Sequence, residues 1–256
     1  MLGHLPYKTA LVTGASRGIG FEIARRLCEA GLRIHGVARN AEQLAEAASQ
    51  IDMTPHAIDI CDTAALEDVV PKLEIDVLVN NAGLVSAVRP LTELSADEVD
   101  DMIDVNLRAP LQLMRMVLPG MVERGYGHVI NMTSTAAHHI LPGTTPYGAA
   151  KAGLAHAGAI TRYDLAGSGV RLSELAPARV ATGIYDQAFG GDRARLTATL
   201  FEGYRTLQPE DVARAVLNIV MLPDHVDVPY LELSSTDQAT GGQVFAKRGV
   251  GTGVGS

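Results

Sequence analysis

The feature that most constrains the fold of this 256-residue chain is an alternation of short apolar runs with helix-length segments. The apolar runs occupy residues 8–13, 32–38, 55–60, 76–80, 128–133, 170–175 and 228–233. Helical patterns occupy residues 21–30, 41–50, 62–72, 95–124, 147–167 and 209–221. Strands that helices cover on both faces are apolar along their whole length. We therefore predict an α/β fold in one domain over residues 1–256: a single doubly wound parallel sheet of about seven strands, with helices on both faces.

The charge balance and the hydropathy pattern limit the partners that the protein can have. The 21 Lys and Arg residues against 29 Asp and Glu residues give a formal net charge of −8, with no basic stripe. Nucleic-acid binding needs clustered cations, so we expect no such partner. No run approaches the roughly 18 apolar residues that span a bilayer, and the first residues lack the pattern of a signal peptide. We expect no membrane association.

The two cysteines, Cys28 and Cys61, have neither a CxxC spacing nor a pair of histidines nearby. This arrangement excludes a disulfide framework and a zinc ribbon and suits a reducing compartment. We expect both cysteines to be buried apolar filler, no metal site, and residence in the cytoplasm.

A glycine-rich loop, Gly14-Ala15-Ser16-Arg17-Gly18-Ile19-Gly20, lies between the first predicted strand and the first predicted helix. Glycines allow the sharp turn and the close backbone approach that a pyrophosphate needs, and a helix N-terminus supplies amide N–H groups. Turns also need glycine for conformational reasons alone. The position between strand and helix favours a dinucleotide site in a Rossmann-type sheet.

The end of the second strand indicates which dinucleotide binds. An NAD site places Asp or Glu there, whereas this strand ends at Arg39, and Arg17 lies in the glycine-rich loop. A guanidinium grips a 2′-phosphate that a carboxylate would repel. Both arginines could instead be ordinary surface residues, but together they favour NADP(H). Asp59, near the end of the third strand, is either an acceptor for the adenine amino group or a helix N-cap.

A second constellation carries acid–base chemistry. Tyr147 and Lys151 open a predicted helix one turn apart and share a face. A Tyr hydroxyl with its ordinary pKa of about 10 is a poor proton shuttle at neutral pH, and a nearby ammonium lowers that pKa. Such a pair by itself is equally a surface pair. Here Ser134 follows the fifth strand, Asn106 lies in the long helix, and Asn80-Asn81-Ala82-Gly83 follows the fourth strand, where a turn can wall an adenosine pocket.

These motifs, in this order, resemble those of short-chain dehydrogenases/reductases: TGxxxGxG, NNAG and an Asn-Ser-Tyr-Lys tetrad, over about residues 8–233. The resemblance implies that Tyr147 is the general acid/base and that Ser134 polarises the substrate carbonyl. It implies that Lys151 lowers the pKa of Tyr147 and holds the nicotinamide ribose. It further implies that Asn106 maintains a water-linked proton relay.

The same resemblance implies the contacts with NADP(H). Residues at 177–182 would meet the nicotinamide, those at 81–83 would wall the adenosine, and 59–60 would form the adenine pocket. Besides Tyr147 and Lys151, the implied contacts are Gly14, Ser16, Arg17, Gly18, Ile19, Gly20, Arg39, Asp59, Ile60, Asn81, Ala82, Gly83, Pro177, Val180 and Thr182.

Two departures from the family pattern concern the substrate side. Pro177-Ala178 replaces the usual Pro-Gly, which adds a methyl group near the nicotinamide. The chain also lacks the usual Val-Asp-Gly-Gly near its C-terminus and has 227–233 in its place. With the segment 209–213, this ending resembles the branch of 3-hydroxy-acid (serine-type) dehydrogenases and clavulanate-type aldehyde reductases.

The span 183–207 corresponds to the mobile substrate lid of the family, and residues 241–256 form a flexible Gly-rich tail. We predict that Ser134, Tyr147, Arg179 and Tyr185 contact the substrate, with Arg179 as the contact for an anionic group. The arginines of the lid itself are more typical of solvent-exposed residues. His138 and His139 are expected to line the pocket rather than to supply a second acid/base.

The resemblance implies an NADP(H)-dependent oxidoreductase that interconverts a small-molecule carbonyl and an alcohol. Two alternatives remain open: a non-catalytic NADP(H)-binding or sensing protein, and an epimerase or dehydratase on the same fold. The resemblance also implies a homodimer or homotetramer formed through the helices predicted at 97–124 and 147–167.

Overall fold

The structure, a computed structural model, describes residues 7–186 and 188–238, so the tail predicted at 241–256 lies outside the described residues. Within the described part, seven parallel strands form one sheet in the order β3-β2-β1-β4-β5-β6-β7. The strands are β1 (Thr9–Thr13), β2 (Arg33–Ala38), β3 (Met53–Ala57), β4 (Val77–Asn80), β5 (Gly127–Met132), β6 (Val170–Pro177) and β7 (Tyr230–Leu233). The predicted doubly wound parallel sheet is confirmed.

Helices connect the strands along the described residues. They are α1 (Gly18–Glu29), α2 (Ala41–Gln50), α3 (Thr63–Val69), α4 (Ala96–Ile103), α5 (Ala109–Arg124), α6 (Thr145–Asp164), α7 (Arg193–Leu200) and α8 (Pro209–Val220). No helix among residues 7–186 and 188–238 is long and apolar enough to cross a membrane.

The two faces of the sheet carry separate apolar cores. On one face Ile23 and Leu27 of α1 and Val216 of α8 pack against the strands. On the other face Leu113 and Met121 of α5 pack against the strand side chains that point towards that face. These side chains are at most 1% exposed. Burial on both faces accounts for the continuous apolar runs of the sequence.

Several element boundaries differ from the prediction. The third strand lies at Met53–Ala57 rather than 55–60, because after Ala57 the backbone turns, with Ile58 N donating to His56 O at 2.9 Å. The predicted long helix at 95–124 is α4, a π-helical segment Asp104–Arg108, and α5. Cys28 and Cys61 are free thiols that pack against the two apolar cores as the expected filler, but each is only partly buried.

The strand order reverses between β1 and β4. In doubly wound sheets this reversal opens a crevice at the carboxyl ends of the strands, where the connections diverge to opposite faces. The glycine-rich loop follows β1, Asn81 follows β4 and Ser134 follows β5. The topology thus brings three distant sequence motifs to one edge of the sheet.

Candidate active site

A cavity of about 300 Å³ lies in this crevice, and most of the predicted cofactor contacts line it. The predicted residues among its walls are Gly14, Ser16, Arg17, Gly18, Ile19, Gly20, Arg39, Asp59, Ile60, Asn81, Ala82, Gly83 and Thr182. Sequence reasoning missed further walls at the end of β2 and the start of α2, including Asn40 and Gln43. No motif marks these residues, and only the fold brings them to the cavity.

The glycine-rich loop forms a cradle that side chains would fill. Gly14 has a φ of 68°, in the left-handed region that favours glycine. A Cβ on Gly20 would clash with the carbonyl oxygen of Gly14 and lie 2.5 Å from Asn81 Nδ2. The N-terminus of α1 has no side-chain cap and no acidic residue in its first turn, so its first N–H groups suit an anion. The cradle therefore fits a nucleotide pyrophosphate.

Thr13 and Asn81 fasten the loop after β1 to the loop after β4. Thr13 Oγ1 accepts the N–H groups of Asn81 at 3.0 Å and Ala82 at 2.9 Å. In return Asn81 Nδ2 donates to Thr13 O at 2.8 Å. The side chain of Asn81 thus has a bracing role that the motif alone did not reveal.

The two predicted phosphate-binding arginines lie at the cavity with their side chains largely in solvent. Arg39 is 4.0 Å from Asp59 Oδ2, and Arg17 is 3.7 Å from Asp186 Oδ2. Exposed side chains such as these can turn towards a bound phosphate at little cost. Asp59 does not cap a helix: its Oδ1 accepts Cys61 N–H at 2.9 Å, whereas Asp62 caps α3. The N-cap alternative for Asp59 was wrong.

Tyr147, Ser134 and Lys151 come together beside this cavity. Tyr147 is 7% exposed, and the Ser134 side chain lies near enough to its hydroxyl to lower the pKa of Tyr147. Lys151 is 3% exposed, its Nζ donates to Met132 O at 2.8 Å, and it lies 5.8 Å from the centroid of the Tyr147 ring. A Cβ on Gly83, which lines the cavity, would lie 3.7 Å from Lys151 Nζ. The lysine therefore adjoins the cavity wall.

The electrostatic balance of this pair differs from the sequence expectation. Burial raises the pKa of Tyr147 well above its ordinary value, Tyr185 acts in the same direction, and the Ser134 side chain offsets only part of this effect. Burial also lowers the pKa of Lys151 to about 8. The expected lowering of the Tyr147 pKa by Lys151 is therefore not seen in this structure, where desolvation is the largest cause of both shifts.

Asn106 lies in the π-helical segment between α4 and α5 and is fully buried. Its Nδ2 donates to Leu84 O at 2.8 Å and to Met102 O at 2.9 Å, and its Oδ1 accepts Leu84 N–H at 3.2 Å. The side chain thus joins the helix to the loop that follows β4. Single π-turns inside α-helices are frequent at functional sites.

The span 183–207 covers Tyr147. Ile184, Tyr185 and Ala188 pack against an apolar cluster that contains Tyr147, Val85 and Met102, the last of them fully buried. Tyr147 and Lys151, and also Pro177 and Val180, are not among the residues that line the cavity of about 300 Å³.

A second, smaller cavity of about 30 Å³ adjoins Ser134. The predicted substrate contacts Arg179 and Tyr185 line it, together with His139 and Gln238. Burial lowers the pKa of Arg179 and raises that of Tyr185, while the attraction between the two acts against both shifts. No sequence motif marks Gln238, which lies far along the chain from the other residues that line this cavity.

Among the described residues, no group of three or more His, Cys, Asp or Glu side chains is arranged to hold a metal ion.

A doubly wound sheet with a glycine cradle after β1, and a buried Tyr and Lys one helical turn apart beside it, defines a dinucleotide-dependent oxidoreductase of the short-chain class. The family model described as short chain dehydrogenase matches residues 8–191. The chain belongs to this family.

Relatives match nearly the whole chain. A short-chain type dehydrogenase/reductase of Sinorhizobium fredii is 40% identical over 241 residues, which are 94% of this chain and 96% of the relative. An NADP-dependent 3-hydroxy acid dehydrogenase of Escherichia coli is 35% identical over 240 residues, 91% of this chain and 96% of the relative. The closed form of a serine dehydrogenase complexed with NADP+ superposes with a TM-score of 0.88 at 34% identity, covering 94% of this chain and 100% of that one.

Proposed function

We propose that the protein is an NADP(H)-dependent oxidoreductase that interconverts a carbonyl and an alcohol, with Tyr147 as the general acid/base. The observation that carries this proposal is the burial of Tyr147 and Lys151 one helical turn apart on α6, with Lys151 Nζ next to Gly83 in the wall of the cofactor cavity. A non-catalytic nucleotide-binding protein has no need of such a cluster.

The cradle residues would hold the cofactor. The N-terminus of α1 and the backbone of Gly14–Gly20 would bind the pyrophosphate, and Arg17 and Arg39 the 2′-phosphate. The similar E. coli dehydrogenase is NADP-dependent, and the similar serine dehydrogenase is complexed with NADP+, which supports NADP(H) as the cofactor. Asp59 and Asn81 would lie along the adenosine, and Val180 and Thr182 near the nicotinamide.

When bound, the reduced cofactor supplies a hydride to the carbonyl carbon, which leaves the oxidised cofactor and an alcohol. The chain supplies the proton: the Tyr147 O–H bond breaks as the new O–H bond of the alcohol forms. Ser134 donates a hydrogen bond to the same oxygen and stabilises the negative charge that develops there. The raised pKa of Tyr147 keeps its hydroxyl protonated at neutral pH, which is the form that reduction requires.

Lys151 and Asn106 support this proton transfer. Lys151 would bind the nicotinamide ribose and stabilise the tyrosinate left after proton transfer. Asn106 fixes the loop after β4 to the helix, and we propose that a water-linked proton relay passes beside it. Both side chains are buried, so their positions are set by the surrounding backbone.

We further propose that the substrate is a small hydroxy acid or its oxo acid. The similar 3-hydroxy acid dehydrogenase and serine dehydrogenase support this class. Arg179 and Tyr185 line the small cavity next to Ser134 and would contact the substrate there. The span 183–207 would act as a lid, since Ile184 and Tyr185 already cover Tyr147 in this structure.

The replacement Tyr147→Phe tests the proposal. It removes the phenolic proton while keeping the ring, so we expect turnover to fall by about 10²–10⁴-fold with NADPH binding retained. Turnover is followed by absorbance of the nicotinamide over a panel of aldehydes, ketones and hydroxy acids, and binding by NADPH fluorescence. Tyr163→Phe is the matched control, because Tyr163 lies on the same helix and is 88% exposed.

Three outcomes separate the alternatives. Unchanged turnover in Tyr147→Phe would remove Tyr147 from the mechanism. NADPH binding without turnover by the wild type on any of the substrates would favour a sensing protein. Conversion of substrate without net NADPH consumption would indicate an epimerase or dehydratase.

We also propose that the protein acts in the cytoplasm as a homodimer or homotetramer. The free thiols of Cys28 and Cys61 suit a reducing compartment. Exposed apolar side chains on α5 and α6, such as Val122 and Ile160, support assembly through these helices.

A further inference from the structure

Two adjacent histidines after Ser134 are each held by a carboxylate from a neighbouring strand. His138 Nε2 lies 2.7 Å from Glu174 Oε1 on β6, and His139 Nε2 lies 3.2 Å from Glu232 Oε2 on β7. Neither carboxylate belongs to the proposed catalytic cluster. The pairs fasten the turn that carries Ser134 to the edge of the sheet.

Only one of these histidines lines the substrate cavity. His139 shares the small cavity with Ser134, Arg179 and Gln238, whereas His138 faces Glu174 and packs edge-on against Tyr230 at 4.8 Å. The cavity of about 30 Å³ has room for only a small group next to the Ser134 hydroxyl. Arg179, Gln238 and His139 all line it, and a guanidinium, an amide and an imidazole can each donate to a carboxylate.

Glu232 sets the orientation of the His139 ring. Its Oε2 accepts a hydrogen bond from Tyr230 OH at 2.7 Å in addition to the contact with His139 Nε2. A carboxylate that binds one ring nitrogen fixes the direction of the other, as in carboxylate–histidine pairs generally. When the ring is protonated, both nitrogens donate, one to Glu232 and the other away from it.

We propose that His139 determines substrate specificity by binding, together with Arg179, the carboxylate of the substrate, and that Glu232 positions the His139 ring for this contact. This inference rests on the proposed hydroxy-acid activity. It assigns the recognition of the acid group to a residue outside the catalytic cluster, and it separates His139 from its neighbour His138.

The test compares an acid with its neutral ester. Kinetic constants with NADP(H) are measured for 3-hydroxybutyrate and for methyl 3-hydroxybutyrate, which differ only in the charge and methylation of the acid group. We expect the wild type to prefer the acid. In His139→Gln we expect KM for the acid to rise about ten-fold, because a charge-assisted hydrogen bond is lost, with kcat and the ester constants within about two-fold.

His138→Gln is the matched control, since it removes the neighbouring histidine and its carboxylate contact but no cavity wall. It should affect acid and ester alike. Glu232→Gln tests the positioning role. As a single replacement it should raise KM for the acid, and combined with His139→Gln it should raise that KM little further. Thermal unfolding and NADPH affinity identify a variant that has lost its fold, in which case His139→Asn replaces it.

The possible results are distinct. Wild-type protein that oxidises neither substrate would contradict the proposed hydroxy-acid activity and, with it, this inference. Two results would overturn the role of His139 while leaving the proposed function standing. One is that His139→Gln keeps the wild-type preference for the acid, and the other is that it loses activity equally on the acid and the ester.

Discussion

Gly20 shows how a single residue permits the cofactor site. It lies in the first turn of α1, where most residues favour the helix more than glycine does. Its Cα faces the carbonyl oxygen of Gly14 and the side-chain amide of Asn81, with no space for a Cβ. The loss of helix propensity is thus offset by the close approach of the helix backbone to the backbone of Gly14 and to the side chain of Asn81, which a phosphate-binding loop requires.

We predict that Gly20→Ala weakens NADPH binding by more than about ten-fold, since the added methyl group must displace the backbone of the loop. Gly120→Ala is the control within another helix. There the added Cβ meets only the end of the flexible Arg124 side chain, at 3.1 Å, and alanine gains about 0.5–1 kcal/mol of helix propensity. NADPH fluorescence titration and urea unfolding measure both variants. Equal NADPH affinity in Gly20→Ala and wild type would contradict the cradle geometry.

At this scale, sequence reasoning found residues that lie in motifs and missed residues that do not. Gly14 and Tyr147 have fixed spacings to their partners, so their proximity followed from the chain order. Glu232 and Gln238 have no such spacing: the pairing of β7 with β6 places Glu232 beside His139, and Gln238 follows β7 to the small cavity next to Ser134. The effect of burial on the pKa of Tyr147 was also missed, since that burial depends on residues distant in the chain, such as Ile184 and Tyr185, which pack against the cluster that contains Tyr147.

At the scale of elements, apolar runs predicted well which segments form strands, but they predicted poorly the residues at which the strands end. The central strands are buried on both faces, so their composition is decided by the core. β3 is an edge strand whose residues are mostly exposed or half-buried, and Pro55 within it cannot donate to a neighbour. Its pattern therefore carried little information about where it ends. The π-helical segment around Asn106 depends on hydrogen bonds to the distant Leu84 backbone, which no local pattern encodes.

The pairing of β2 with β3 also makes this edge sensitive to acid. His35 Nδ1 lies 3.0 Å from His56 Nε2, so one neutral ring donates to the other. Burial lowers the pKa of both, and for His35 the neighbouring His56 and Arg33 act in the same direction. The folded state therefore binds fewer protons than the unfolded state below the ordinary histidine pKa of about 6.5. The stabilisation is present above that pH and is lost as the pH falls.

We predict that the free energy of unfolding declines as the pH falls from about 7 to about 5. The decline should be smaller in His56→Gln, because a glutamine at this position can still hydrogen-bond to His35 but does not titrate. Urea unfolding across this range measures it. His225→Gln is the control, because the His225 side chain is 79% exposed, and it should keep the wild-type decline. A residual decline in His56→Gln is expected from His128, whose pKa burial lowers. The same decline in His56→Gln as in the wild type would exclude the pair as its source.

At the scale of the molecule, the sheet order explains how one net-negative chain presents cations to a phosphate. The formal charge of −8 describes the whole surface. Arg17 and Arg39 follow adjacent strands, β1 and β2, and the parallel pairing brings both to the same end of the sheet. Overall charge predicts only that nucleic acid is not a partner, whereas the positions of these two arginines indicate the ligand.

The outer faces of α5 and α6 expose apolar side chains that bear on how the molecule assembles. Leu111 and Val122 on α5 are 37% and 44% exposed, and Ile160 and Tyr163 on α6 are 52% and 88% exposed. Each pair lies on one side of its helix, because 11 residues are close to three turns and three residues are close to one. Exposed apolar side chains aligned in this way are typical of a surface that another copy covers.

We predict that wild-type protein is a dimer or tetramer, and that the double replacement Ile160→Glu with Tyr163→Glu converts it to a smaller species. Two carboxylates placed in an apolar interface would lose their hydration without gaining a partner. Light scattering coupled to size exclusion gives the mass. Ile140→Glu is the matched control: Ile140 is 91% exposed but lies outside both helices, so its replacement should leave the assembly intact. A monomeric wild type, or a double variant that assembles as the wild type does, would show that α5 and α6 do not form the interface.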